Sequence, residues 1–236
     1  MIEDWDDKKI ELVNKKTIAL TNGTNPKNNR RALELGKNKN VKVCLGFYPI
    51  EIIKFSDEEI GEEIEFIRKN KNNIIGIGEI GLDHKESENK EEWDKQEKWF
   101  TKLVQLGIDL DKPVFIHSRK AEVECIEILE KLGAKRVMMH CFSGKLKLVD
   151  RILGNGWFVS IPGNVVFSEH FQKVIEKSDI SQLFGETDSP YMHPKKEWPN
   201  YPWNVLASYE KIGEIKKMSL KDVEKKLEDN YKKLVE

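Results

Sequence analysis

No run of apolar residues in this chain approaches the roughly 18 to 20 that a helical membrane span needs, so nothing in it reads as a transmembrane helix. The N-terminal stretch Met1-Ile-Glu-Asp-Trp-Asp-Asp7 is acidic and lacks the apolar core of a secretory signal, which makes the cytoplasm the expected compartment. Cysteine is scarce. Cys44, Cys125 and Cys141 are odd in number and widely spaced, which excludes a zinc ribbon or a paired redox motif and predicts reduced thiols in the interior. An excess of one charge is also missing: 40 basic against 41 acidic residues leave a net charge of -1. A dedicated nucleic-acid binder normally shows a basic domain or stripe, so a polyanionic substrate must be held locally, by metal and a few basic side chains. Internal repeats, low-complexity tracts and linkers are absent as well, and the 236 residues read as one domain over 1–236.

What is present is an alternation. Short β-branched runs at 17–20, 41–46, 74–79, 114–117, 137–140, 157–161 and 183–186 are separated by longer stretches of helical period. Such βα alternation predicts an α/β protein with a parallel sheet, of the TIM-type (β/α) barrel class. Ser56-Asp-Glu-Glu59 has the form of a capping box ahead of Ile60, Ile64 and Ile67. Ser219 precedes an apolar stripe of Leu220, Val223, Leu227, Tyr231 and Leu234 at helical spacing.

Four of the apolar runs end in a residue able to bind metal. Glu79 stands in Gly76-Ile-Gly-Glu-Ile-Gly-Leu-Asp83, His117 in Pro113-Val-Phe-Ile-His-Ser-Arg119, His140 in Val137-Met-Met-His-Cys-Phe-Ser-Gly144 and Asp188 in Phe184-Gly-Glu-Thr-Asp-Ser-Pro190. In a parallel barrel the C-terminal strand ends gather on one face, so these four side chains are expected to converge on a divalent metal. The alternatives are ordinary: a salt bridge for Glu79, hydrogen-bonded core positions for the two histidines, and a turn cap for Asp188. Arg119 suits either a substrate phosphate or a neighbouring carboxylate. The turn at Ser143 and Gly144 offers amides to a phosphate, or is an ordinary loop. Asp83 is expected to position backbone or a neighbouring side chain. His84, His170 and His193 read as surface or loop histidines, Trp93 and Trp99 as packing residues, and Cys141 as a core residue pointing away from His140 across its strand.

In order along the chain, Gly-Glu-Ile-Gly-Leu-Asp at 78–83, His-Ser-Arg at 117–119, His-Cys-Phe-Ser-Gly at 140–144 and Glu-Thr-Asp-Ser-Pro-Tyr at 186–191, with Arg30-Arg-Ala-Leu-Glu-Leu35, resemble the TatD family of metal-dependent deoxyribonucleases among the amidohydrolase-like barrels. The resemblance implies one or two divalent ions, with Mg, Mn, Zn and Ni not distinguished. Glu79 would bridge them, His117 and His140 would bind one and Asp188 the other, and water activated there would hydrolyse a phosphodiester of DNA or other nucleic acid. Glu79 and Asp188 would be the catalytic residues; Arg119, Tyr48 and Ser143 would contact substrate. The resemblance also implies a first strand bearing His-x-His, whereas no histidine precedes His84. The expectation is therefore that this strand is missing from the chain and that 1–7 is the loop that follows it. Gly46-Phe-Tyr-Pro49 places Tyr48 where the family has histidine, and Trp198-Pro-Asn-Tyr-Pro202 replaces an Arg-Asn-Glu-Pro type segment. Two other readings stay open: hydrolysis of another ester or amide, and a non-catalytic barrel that binds a partner.

Overall fold

A computed structural model of the chain describes residues 17–236. The segment 1–7, and with it the question of a preceding strand, lies outside the described residues.

Among the described residues are seven strands: β1 (Ala19–Asn22), β2 (Val41–Leu45), β3 (Gly76–Asp83), β4 (Val114–Arg119), β5 (Val137–Met139), β6 (Phe158–Ile161) and β7 (Leu183–Gly185). They form one sheet in sequential order, and the recorded pairings are parallel. Helices lie between them: α1 (Pro26–Leu35), α2 (Pro49–Lys54) and α3 (Asp57–Lys69) in the first part, then α4 (Lys90–Asp109), α5 (Glu122–Leu132), α6 (Leu146–Gly154) and α7 (Glu169–Lys177). After β7 come α8 (Leu206–Lys216) and α9 (Leu220–Val235). Parallel strands need crossovers, and β-branched runs buried on both faces alternate with amphipathic helices to supply them. This is the expected α/β class. No described helix is long and apolar enough to cross a membrane.

The described residues divide into two compact units, Ile18–Val137 and Met138–Glu236. In the first, the interior of α4 shows how period produces packing. Trp99, Phe100, Leu103, Val104, Leu106 and Gly107 are buried at three- and four-residue spacing. Each large side chain so buried contributes roughly 1.5 to 3 kcal/mol relative to exposure. The capping box forms as expected: Glu59 N–H donates to Ser56 Oγ at 3.2 Å, and Ser56 N–H donates to Glu59 Oε2 at 2.7 Å. Trp99 packs, and its Nε1 donates to Asp57 Oδ1 at 2.8 Å. In the second unit, Ser219 caps α9 by accepting from Asp222 N–H, and Val223, Leu227 and Leu234 are buried.

Two features of the first unit position the candidate site. Strand β3 carries one extra residue against β4, because the register passes from Ile77 opposite Val114 to Ile80 opposite Ile116. A bulge of this kind re-aims a strand, and it falls at Glu79. Gly46 follows β2 and lies against the same place. A Cβ there would sit 2.4 Å from the Gly78 carbonyl carbon and 2.7 Å from Glu79 N, so only glycine permits the approach.

Candidate active site

Within the unit Ile18–Val137, parallel register decides which side chains meet. Gly81 stands opposite His117 and Asp83 opposite Arg119, bringing the ends of β3 and β4 together. His117 Nδ1 lies 3.1 Å from Glu79 Oε1, and His117 Nε2 lies 2.9 Å from Asp83 Oδ2. Both candidate ligands are largely enclosed, with His117 and Glu79 exposing 13% and 15% of their side chains.

Asp83 is fully buried and is the hub of this cluster. Its Oδ1 accepts from the backbone amides of Lys85 and Glu86. Its Oδ2 accepts from Arg119 Nε at 2.8 Å and Nη2 at 2.5 Å, and from the Tyr48 hydroxyl at 3.1 Å. Burial works strongly against ionisation, yet hydrogen bonds from His117 and Arg119 outweigh it and hold the carboxyl well below the usual carboxylate range. With Asp83 ionised, the proton of neutral His117 belongs on Nε2, where the carboxylate accepts it. That leaves an acceptor nitrogen, Nδ1, facing a carboxylate oxygen at 3.1 Å. Two lone-pair acceptors at that separation need a proton or a cation between them.

Tyr48 sits beside this pair, its ring edge-on to His117 with centroids 4.9 Å apart. Burial, then the charges of Glu79 and Asp83, push its phenol far above the ordinary value, so it stays a neutral donor. Arg119 also meets Glu86 at 2.5 Å, and the resulting pairs raise its pKa although burial opposes them. Arg119 is thus paired with the carboxylates of Asp83 and Glu86. Asp83 positions both backbone and side chains, as expected.

Within the unit Met138–Glu236 a second histidine is backed in the same way. His140 Nδ1 lies 2.8 Å from Glu186 Oε2, and the two side chains expose 13% and 18%. The carboxylate accepts a hydrogen bond from Nδ1–H, which leaves Nε2 as the acceptor nitrogen. Glu186 Oε1 is buried with no hydrogen-bond partner among the described residues. Asp188 follows β7 in left-handed backbone, φ 49°, and its carbonyl accepts from Tyr191 N–H at 2.8 Å. Aspartate is among the few non-glycine residues that adopt this conformation readily. Ser143 is exposed in the turn after β5.

Sequence reasoning missed the role of Glu186. The available signal was chemical: a buried histidine ending an apolar run needs an acceptor for its N–H, and Glu186 ends another such run. Cys141 corrects an expectation. It follows the end of β5 rather than continuing it, has φ 43° and is half-buried, while Cys44 and Cys125 are buried; none of the three is joined in a disulfide. Strand alternation does not govern a residue in a turn, which is why the core assignment failed. His84 stacks on Trp93 at 4.5 Å in the loop after β3. His170 lies on α7 with Nε2 3.1 Å from the Phe142 carbonyl, and His193 is a loop residue accepting from Lys195 N–H at Nδ1.

A sequential parallel α/β sheet with carboxylate-backed histidines at its strand ends is the architecture of a metal-dependent hydrolase. Comparison with known proteins makes this specific. A family profile described as TatD related DNase matches residues 2–236, and the chain belongs to that family. An uncharacterized metal-dependent hydrolase of Methanocaldococcus jannaschii is 37% identical over 218 residues, covering 92% of this chain and 85% of that protein. Deoxyribonuclease TATDN3 of Homo sapiens is 31% identical over 191 residues, covering 76% of this chain and 69% of the relative. The fold matches the crystal structure of YJJV, a TatD homolog from Escherichia coli, with a TM-score of 0.83 at 23% identity, over 92% of this chain and 85% of that one.

Proposed function

We propose that the chain hydrolyses phosphodiester bonds of nucleic acid, DNA before RNA and from a strand end, with one or two divalent metal ions held by Glu79, His117, His140 and Asp188. The observation that carries this reading is the His117–Glu79 pair, in which two acceptor atoms face each other at 3.1 Å with Asp83 fixing the histidine tautomer. It is supported further by His140, whose Nδ1 is backed by Glu186 Oε2 at 2.8 Å in the same manner. The deoxyribonuclease name carried by the human relative supports the choice of substrate.

The donor set suits a borderline divalent ion, since imidazole and carboxylate together accommodate zinc, manganese or nickel, and magnesium where oxygen dominates. When bound, such an ion supplies Lewis acidity that brings the pKa of a coordinated water toward about 7. The protein's own residues do the remaining work. Asp188 accepts a proton from the attacking water on its carboxylate. Tyr48, kept neutral, donates its hydroxyl proton to a phosphate oxygen or to Asp83, and does not shuttle protons near neutral pH. Asp83 and Glu186 hold the imidazole rings in the ligating tautomer. The Ser143 turn offers backbone amides to phosphate.

The test is hydrolysis of a single-stranded oligonucleotide with added manganese, by the chain and by Glu79→Ala and His140→Ala. The expected result is cleavage that EDTA abolishes and that falls at least about a hundredfold in either variant, as loss of a centre activating the nucleophile requires. Metal binding without cleavage of any nucleic acid would sink the nuclease reading. Turnover of a small ester or amide under the same conditions would assign the centre to that chemistry instead.

A further inference from the structure

The unit Met138–Glu236 contains an open cavity of about 360 Å³ whose rings the hydrolytic chemistry does not use. Three of its walls are large aromatics turned to solvent: Phe167, Tyr191 and Trp198 expose 45%, 55% and 68% of their surface. Burial of such rings is strongly favourable, so three exposed around one hollow mark a surface that something else covers. Tyr191 and Trp198 are in contact with each other, centroids 5.5 Å apart and planes tilted by 58°. A cation completes the wall, with Lys196 Nζ 4.6 Å from the Phe167 ring centroid. At the back, Asn164 Nδ2 donates to Met192 Sδ at 3.1 Å, while Asn164 Oδ1 is buried without a hydrogen-bond partner among the described residues.

An apolar peptide would use the rings and leave the ammonium and the amide idle. A nucleotide uses all three kinds of group, because every base offers a π-face for stacking and a polar edge for the Asn164 amide, and every linkage an anion for lysine. The cavity is also close to the candidate chemistry. Its lining includes Pro190, two residues after Asp188, so the two Cα atoms are within about 7 Å along the chain.

We propose that this cavity is a nucleobase subsite, in which one base of a single strand stacks on the exposed face of Trp198 beside Tyr191 while Lys196 meets a flanking phosphate. The inference rests on the nuclease reading for its choice of ligand.

The experiment compares the full chain with Trp198→Ala, manganese present, for binding of a fluorescein-labelled thymidine hexamer carrying phosphorothioate linkages that slow cleavage. A hexamer of the same backbone without bases is the control. Trp198 is mostly exposed, so its removal leaves the fold intact. The expected result is binding of the thymidine hexamer weakened about tenfold, the measure of one lost base stack, with baseless binding unchanged. Equal thymidine binding by both proteins, or equal loss for both hexamers, overturns the subsite. Displacement of the hexamer by an uncharged apolar hexapeptide at equal concentration also overturns it, and assigns the rings to a peptide. Cleavage of the ordinary thymidine hexamer separates this inference from the one it rests on. A chain that cuts it with a KM indifferent to Trp198→Ala is a nuclease without this subsite. One that binds it through Trp198 but never cuts it has the subsite and is not a nuclease.

Discussion

Asp83 gathers donors from four parts of its unit: the amides of Lys85 and Glu86, the Tyr48 hydroxyl, the Arg119 guanidinium and His117 Nε2. A carboxylate so saturated costs little to bury, and it acts through what it orients. Neutralising it with Asp83→Asn keeps the shape but weakens the hold on the His117 proton and removes the partner charge of Arg119. The expected outcome is manganese affinity reduced about 10- to 100-fold, the usual effect of losing a carboxylate behind a ligating histidine. Titration calorimetry of the variant with manganese measures it directly, and unchanged affinity would show that His117 needs no orienting partner. Asp83 was legible in the sequence as a positioning residue, whereas its particular partners were not. The His117 contact joins residues 34 apart, and the His140–Glu186 contact joins residues 46 apart. Periodicity places a residue on a face, but it does not say which distant face that residue meets.

At the scale of elements, the end of β2 and the bulge of β3 must be in near contact for Glu79 to be presented to His117. Gly46 is the condition for that approach, and Gly46→Ala drives a Cβ into backbone that no side-chain rotation can move. Overpacking of this kind costs about 3 kcal/mol. Gly61, within α3, supplies the contrast: a Cβ there meets nothing within 4 Å. Gly61→Ala is expected to stabilise the protein by about 0.5 to 1 kcal/mol, because alanine loses less backbone entropy on entering a helix. Urea unfolding of the two variants beside the parent protein measures both. A harmless Gly46→Ala would mean that β2 and β3 can part without cost. The strands themselves were legible because each is a short apolar run between helical segments. Their ends were less so: β3 runs four residues beyond the expected Glu79, to Asp83, since Gly81 and Asp83 interrupt the apolar run and are held in the strand by pairing with β4 rather than by hydrophobicity.

For the molecule as a whole, a net charge of -1 spread over 81 ionisable acidic and basic residues provides no long-range attraction for a polyanion. Affinity has to be generated at the centre, and the same cation that generates it also couples to folding. An ion held by the native ligand set and not by the unfolded chain stabilises the native state by about 2.7 kcal/mol when it is present at a hundred times its dissociation constant. For a chain of this length that corresponds to a rise in Tm of about 5 to 10 °C. Differential scanning calorimetry in manganese and in EDTA is expected to show this rise for the parent protein and little of it for Glu79→Ala. The comparison requires no substrate, so it isolates metal binding from any choice between nucleic acid and another ester. An identical Tm with and without metal in the parent protein would remove the ion from the account. The facing acceptors of Glu79 and His117 would then be held by a shared proton, and the cluster around Asp83 would serve structure rather than catalysis.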